Sequence, residues 1–130
     1  MSKAILSELK KATQGLQYQS EKDAPWTPFH WDDAGELTHA EVLAHSGFAS
    51  NAKIEDVNFE KFFQSLAVEQ KWHADPEKAV VRKYQTLLKL LKDRLMHLKI
   101  YRVGETKCRY VVVGKSADGW TGVAADALET

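Results

Sequence analysis

The chain has 130 residues, 44% of them hydrophobic and 28% charged, which is the size and balance of one globular domain that buries a core without metals or disulfides. Eighteen basic and eighteen acidic residues cancel; no apolar run is long enough to span a bilayer, and charge interrupts the N-terminus too early for a secretory signal. Cys108 stands alone, so no internal disulfide can form, and a reduced thiol in a cytoplasmic protein is expected.

In chain order, Ser2–Thr13 is predicted as a helix, with Ile5, Leu6, Leu9 and Ala12 on one face, Lys10 and Lys11 on the other, and Gly15 as its stop. Leu16–Ser20 reads as extended and leads to a polar turn at Glu21-Lys22-Asp23. The aromatic segment Pro25-Trp26-Thr27-Pro28-Phe29-His30-Trp31 contains two prolines. Proline cannot donate to a sheet ladder, so the segment is an edge strand or a loop entering a strand at Phe29–Asp32. Trp26, Phe29 and Trp31 are either packing residues or a partner-binding cluster. After Asp33-Ala34-Gly35, the spacing of Thr38 and Glu41 is that of a capping box, opening a helix to about His45 with Gly47 ending it. Ala52–Val57 reads as a strand. Asn58 then caps a third helix to about Ala67, with Phe59, Phe62, Phe63 and Leu66 facing inward, and Val68–Ala74 is a polar connection containing Trp72.

Asp75-Pro76-Glu77 is a helix start: a capping carboxylate, a proline where no N–H is needed, and an acid at the positive dipole end. Val80, Tyr84, Leu87, Leu88, Leu91, Leu95 and Leu98 recur at the spacing of one helical face. Lys99–Val103, Lys107–Val113 and Trp120–Ala125 read as strands joined by connections short enough for an antiparallel meander, the last two through a turn at Asp118-Gly119. Tyr110-Val111-Val112-Val113 is apolar at successive positions, so both faces of that strand should be covered. The expected fold is α+β, a three-layer α/β/α sandwich with a mainly antiparallel central sheet, forming a single domain over residues 1–130.

Charge is segregated along the chain. Gln17–Leu37 holds five acids and one lysine, Glu77–Lys115 eleven basic residues and three acids, and Ser116–Thr130 three acids and the chain-end carboxylate. If the two acidic segments meet, one side of the molecule attracts a basic partner; otherwise these are scattered solvated charges. The basic residues from Lys78 to Lys115 alternate with core positions, which reads as a solvated face rather than a nucleic-acid site. The five histidines have no metal-ligand spacing, and His45-Ser46-Gly47 lacks a nucleophile elbow. Nothing argues for catalysis, a cofactor or a metal of the protein's own. Trp72 is a candidate interface anchor or a ring tucked under its loop. Glu129-Thr130 places several hard oxygen atoms just past the final strand.

These residues resemble a known family. The order of the helix Val80–Leu95, then Ile100-Tyr101-Arg102-Val103-Gly104-Glu105, then Tyr110-Val111-Val112-Val113-Gly114, and an end at Glu129-Thr130 is similar to the nuclease A inhibitor family of bacteria. The likeness extends to Gly15–Glu21, the aromatic strand ending at Trp31, Val57–Phe63, and Trp72 with Ala79-Val80-Val81. The resemblance implies an α/β/α sandwich like that of plant pathogenesis-related proteins. It also implies a non-enzymatic function: inhibition of a magnesium-dependent, sugar-non-specific nuclease of DNA and RNA, as a monomer in a 1:1 complex, without direct contact to nucleic acid or membrane. By that resemblance Thr130 and Glu21 approach the nuclease Mg²⁺ and Trp72 and Glu129 contact the partner. Lys71 departs from the pattern, standing where the resemblance implies an acid, and the loop after Trp31 is shorter. The alternative is a non-catalytic interaction module for another basic protein.

Overall fold

Val111, Val112 and Val113 are each 0% exposed, and a strand with nothing but apolar residues at successive positions must be covered on both faces. That strand, β6 (Lys107–Ser116), is the middle of a five-stranded sheet in the order β3-β7-β6-β5-β4, antiparallel throughout. The others are β3 (Thr27–Trp31), β4 (Ile54–Val57), β5 (Met96–Gly104) and β7 (Gly119–Leu128). A separate two-stranded ladder pairs β1 (Gln17–Tyr18) with β2 (Ala24–Pro25). The computed structural model describes residues 2–18, 24–32, 37–49, 51–67, 75–116 and 119–128.

Side chains alternate across the sheet, as a period of two requires. Ile100, Cys108, Tyr110, Val112, Val123 and Ala125 face helices α1 (Ser2–Thr13), α3 (Phe59–Ala67) and α4 (Asp75–Arg94), which contribute Leu9, Phe63, Leu87 and Leu91. Tyr101, Val103, Val111, Val113 and Trp120 face the other way, where Leu37 and residues Val42 and Leu43 of α2 (His39–His45) cover them. Two of the three helix starts expected from capping residues are seen in their hydrogen bonds, and α4 begins at the third, Asp75. The Glu41 amide donates to the Thr38 hydroxyl at 3.3 Å, and the Lys61 amide donates to Asn58 Oδ1 at 2.9 Å. Helix α2 closes with the Phe48 amide on the Leu43 carbonyl and the Gly47 amide on that of Ala44; Gly47 sits at φ 77, a left-handed conformation that favours glycine.

The meander and hairpin match expectation, with longer strands than anticipated, and Pro28 lies on an edge strand opposite Val123. Two helix positions differ. Val81, not Val80, is buried; both fit the spacing to Tyr84, so periodicity cannot choose between them, and Val80 is 37% exposed. Leu98 belongs to β5, because the chain has already reversed at Leu95; it joins the same core from the sheet side.

At one end of the sheet a hydrogen-bonded chain ties the edge strand to the hairpin. His30 bonds Asp32 through Nε2 at 2.8 Å and Thr121 through Nδ1 at 2.7 Å. The Thr121 hydroxyl meets that of Ser116 at 3.0 Å, and Ser116 donates to the Gly119 carbonyl at 3.1 Å. Ser116 and Thr121 are buried, so each satisfied hydroxyl here avoids the cost of an orphaned polar group.

Candidate partner-binding site

The residues singled out from the sequence, Glu21, Trp72, Glu129 and Thr130, all lie outside the described residues, as do Lys71, Asp118, the turns at 21–23 and 33–35, and the connection 68–74. The elements that flank them are described, and they converge. Strand β3 begins at Thr27 opposite Ala124, so β2, just before it, lies beside the last residues of β7. The Tyr18 ring is 4.9 Å from that of Tyr110, which is paired with Ala125. Helix α4 enters β5 through Leu95 at the end where Met96 pairs with Lys115, so Asp75 lies toward the other end, where Gly104 pairs with Cys108 and Lys107 with Leu128. Helices α3 and α4 run antiparallel, because Glu60 in the first turn of α3 meets Lys92 near the end of α4 at 3.5 Å. Helix α3 therefore runs toward the end from which α4 starts and stops about 15 Å short of Asp75 along the axis. Tyr18, Ala24, Asp75 and Leu128 mark one end of the sheet, and α3 runs toward it.

Tyr84 fixes this end. Its hydroxyl accepts from Trp26 Nε1 at 2.9 Å and donates to the Gln17 carbonyl at 3.1 Å, joining α4 to β1 and to the residue that follows β2. Trp26 and Tyr84 are buried, which answers the question the sequence left open for Trp26: it is a core residue. Burial pushes the Tyr84 phenol up to about 12, against a partial opposing effect of the Trp26 hydrogen bond. A group whose folded value is raised stabilises fully below its unfolded value of 10.0 and loses that contribution as pH climbs toward about 12. About 2–3 kcal/mol should disappear across that window. Replacing Tyr84 with Phe leaves the Trp26 N–H and the Gln17 carbonyl unpaired, and should cost about 1–3 kcal/mol in urea unfolding at neutral pH. The same variant should lose the highest-pH step of the tyrosinate absorbance titration.

The acidic segments do lie side by side, as β3 and β7, but antiparallel pairing separates their described charges. Asp32 follows Trp31, opposite Trp120, whereas Asp126 lies beyond Ala124, opposite the start of β3. Each has a cationic or histidine partner: Asp32 with His30 at 2.8 Å and Asp126 with Arg109 Nε at 2.8 Å. Among the described residues the acids form two separate ends rather than one patch.

Beside the end of β7, Arg109 also donates through Nη1 to the Ser46 carbonyl at 2.7 Å and covers the Phe48 ring at 5.8 Å from its centroid. Phe48, Lys107, Cys108, Asp126, Ala127 and Leu128 line a recess of about 420 Å³. Sequence reading missed this feature. Its only sequence signal is the apolar residue just after Gly47, where a glycine-terminated helix commonly places a packing contact. Among the described residues no cluster of His, Cys, Asp and Glu could hold a metal ion, and no helix is long and apolar enough to cross a membrane.

The sequence profile of the nuclease A inhibitor-like protein family matches residues 3–130. The chain belongs to this family. A search of curated proteins finds no match. Members of the nuclease A inhibitor-like family are inhibitor proteins, not catalysts, so the relevant partner class is a protein, a nuclease.

Proposed function

We propose that this protein inhibits a magnesium-dependent, sugar-non-specific endonuclease by inserting the Tyr18–Ala24, Ala67–Asp75 and Leu128 end of its sheet into the enzyme's cleft, as a monomer in a 1:1 complex. The observation that carries the reading is that β1, β2, the start of α4 and Leu128 lie at one end of the sheet, since the segments adjoining them hold Glu21, Trp72, Glu129 and Thr130. Mg²⁺ prefers hard oxygen ligands in octahedral geometry and keeps exchangeable positions for phosphate oxygens. The Thr130 hydroxyl and the Glu21 carboxylate would compete for those positions, while Trp72 and Glu129 contact the rim. A cleft built for a polyanion is positively charged and steers these acids inward. A three-layer arrangement like that of pathogenesis-related proteins, and a cytoplasmic site of action that protects host nucleic acid before the enzyme is exported, belong to the same proposal.

The test is titration of the purified protein into such a nuclease acting on plasmid DNA. Stoichiometric inhibition is expected. Glu21→Ala and Thr130→Gly should each raise the inhibition constant by about tenfold or more, equivalent to about 1.4 kcal/mol of binding, with thermal unfolding unchanged. Equal inhibition by both variants and the parent protein would rule out the metal-directed contact.

A further inference from the structure

The recess at the end of β7 follows from the proposed function and rests on its placing of residue 130 at the nuclease metal. Leu128 is paired with Lys107 at the last position of the ladder, and two further residues span at most about 7 Å. A partner of standard size covers about 800 Å² on each side, a disc roughly 16 Å in radius. Whatever surface touches residue 130 must therefore also lie over what surrounds Leu128. What surrounds it is concave: the recess has walls of Phe48, Cys108, Ala127 and Leu128, with Lys107 and Asp126 at its rim.

The recess is also held in shape. Phe48 is fixed from behind by its amide bond to the Leu43 carbonyl at 2.9 Å. Arg109 lies over the ring and is itself tethered to Asp126 at 2.8 Å and to the Ser46 carbonyl at 2.7 Å. Cys108 is 3% exposed, with its thiol toward the Ala127 carbonyl at 3.6 Å. A preformed apolar hollow loses little conformational entropy on filling, and hollows of this kind near the centre of a contact are where interface energy concentrates.

We propose that this recess receives an apolar or aromatic side chain from the rim of the nuclease cleft, as a second anchor beside the metal-directed oxygens. Asp126 is already paired with Arg109, so the anchor works by burial rather than charge. Its contribution should then persist at high salt, where the steering of the acidic segments is screened.

Two variants alter the hollow without touching Glu21 or Thr130. Leu128→Asn places an uncharged polar group on its lip, and Phe48→Ala removes its largest apolar wall. With a nuclease that the parent protein inhibits, each should raise the inhibition constant about tenfold to a hundredfold, mainly through faster dissociation, by the same factor at low and high salt. Acylation of the Lys107 amine, read by mass spectrometry on the unmutated protein, should slow at least about tenfold in the complex, which keeps the test open if a variant fails to fold. Parent-like inhibition by both variants, or unchanged Lys107 labelling, overturns the anchor while leaving the metal-directed reading intact if Glu21→Ala still weakens inhibition. Failure of the parent protein to inhibit overturns both.

Discussion

Gly122→Ala should be the most damaging single-methyl change in this protein, costing more than about 3 kcal/mol of the total of roughly 5–15 kcal/mol that a domain has. Gly122 lies in β7 between Phe29 of β3 and Val113 of β6. A β-carbon there would run into the Val112 carbonyl oxygen and stand 2.8 Å from its carbon and 2.9 Å from the Val113 α-carbon. All three are backbone atoms of the central strand. A flexible side chain could swing aside; a strand hydrogen-bonded on both sides cannot move without breaking ladder bonds. Glycine is therefore required by close approach, even though Gly122 has no positive φ. Urea unfolding monitored by tryptophan fluorescence is the measurement, and a shift below about 1 kcal/mol would show that the two strands can separate cheaply.

Leu87→Ala should cost about 2–5 kcal/mol. Leu87 is 0% exposed and sits where α4 meets the cluster shared by Leu9, Phe63, Ile100 and Val112. Three helices and the sheet bound the site, so no single element can move in to fill the space, and the upper half of that range is expected. The control is Val80→Ala on the same helix, which should cost less than about 0.5 kcal/mol because the side chain is partly in water. The pair also tests which of Val80 and Val81 faces the core. Comparable losses from Leu87→Ala and Val80→Ala would mean that the helix is rotated from the orientation described.

How far the sequence carries depends on whether a signal is local. The four helices were legible because amphipathic spacing and caps such as Thr38 and Asn58 act within a few residues. The meander was legible because its strands are consecutive and its turns short. The β1–β2 ladder was not, since two-residue strands have no period to read. Trp26 was ambiguous for a different reason: its indole partner, Tyr84, is 58 positions away, and no local pattern encodes such a contact. Trp72, Glu129 and Thr130 stood out in the residues themselves and took their roles from the family resemblance, whereas Glu21 came from the resemblance alone. The recess was invisible because it exists only where Phe48, just past α2, meets β6 and β7.

The two borders of the sheet limit how a partner can be met. On one side Pro28 removes an amide from β3; on the other, β4 has only four residues and carries the exposed acids Glu55 and Asp56. Both features discourage a foreign strand from adding to either margin. Pairing with a second copy of the chain through either edge strand is disfavoured for the same reason. With recognition at the tip of the sheet, as proposed, a change of a few surface residues would retune the target without disturbing the ladder beneath.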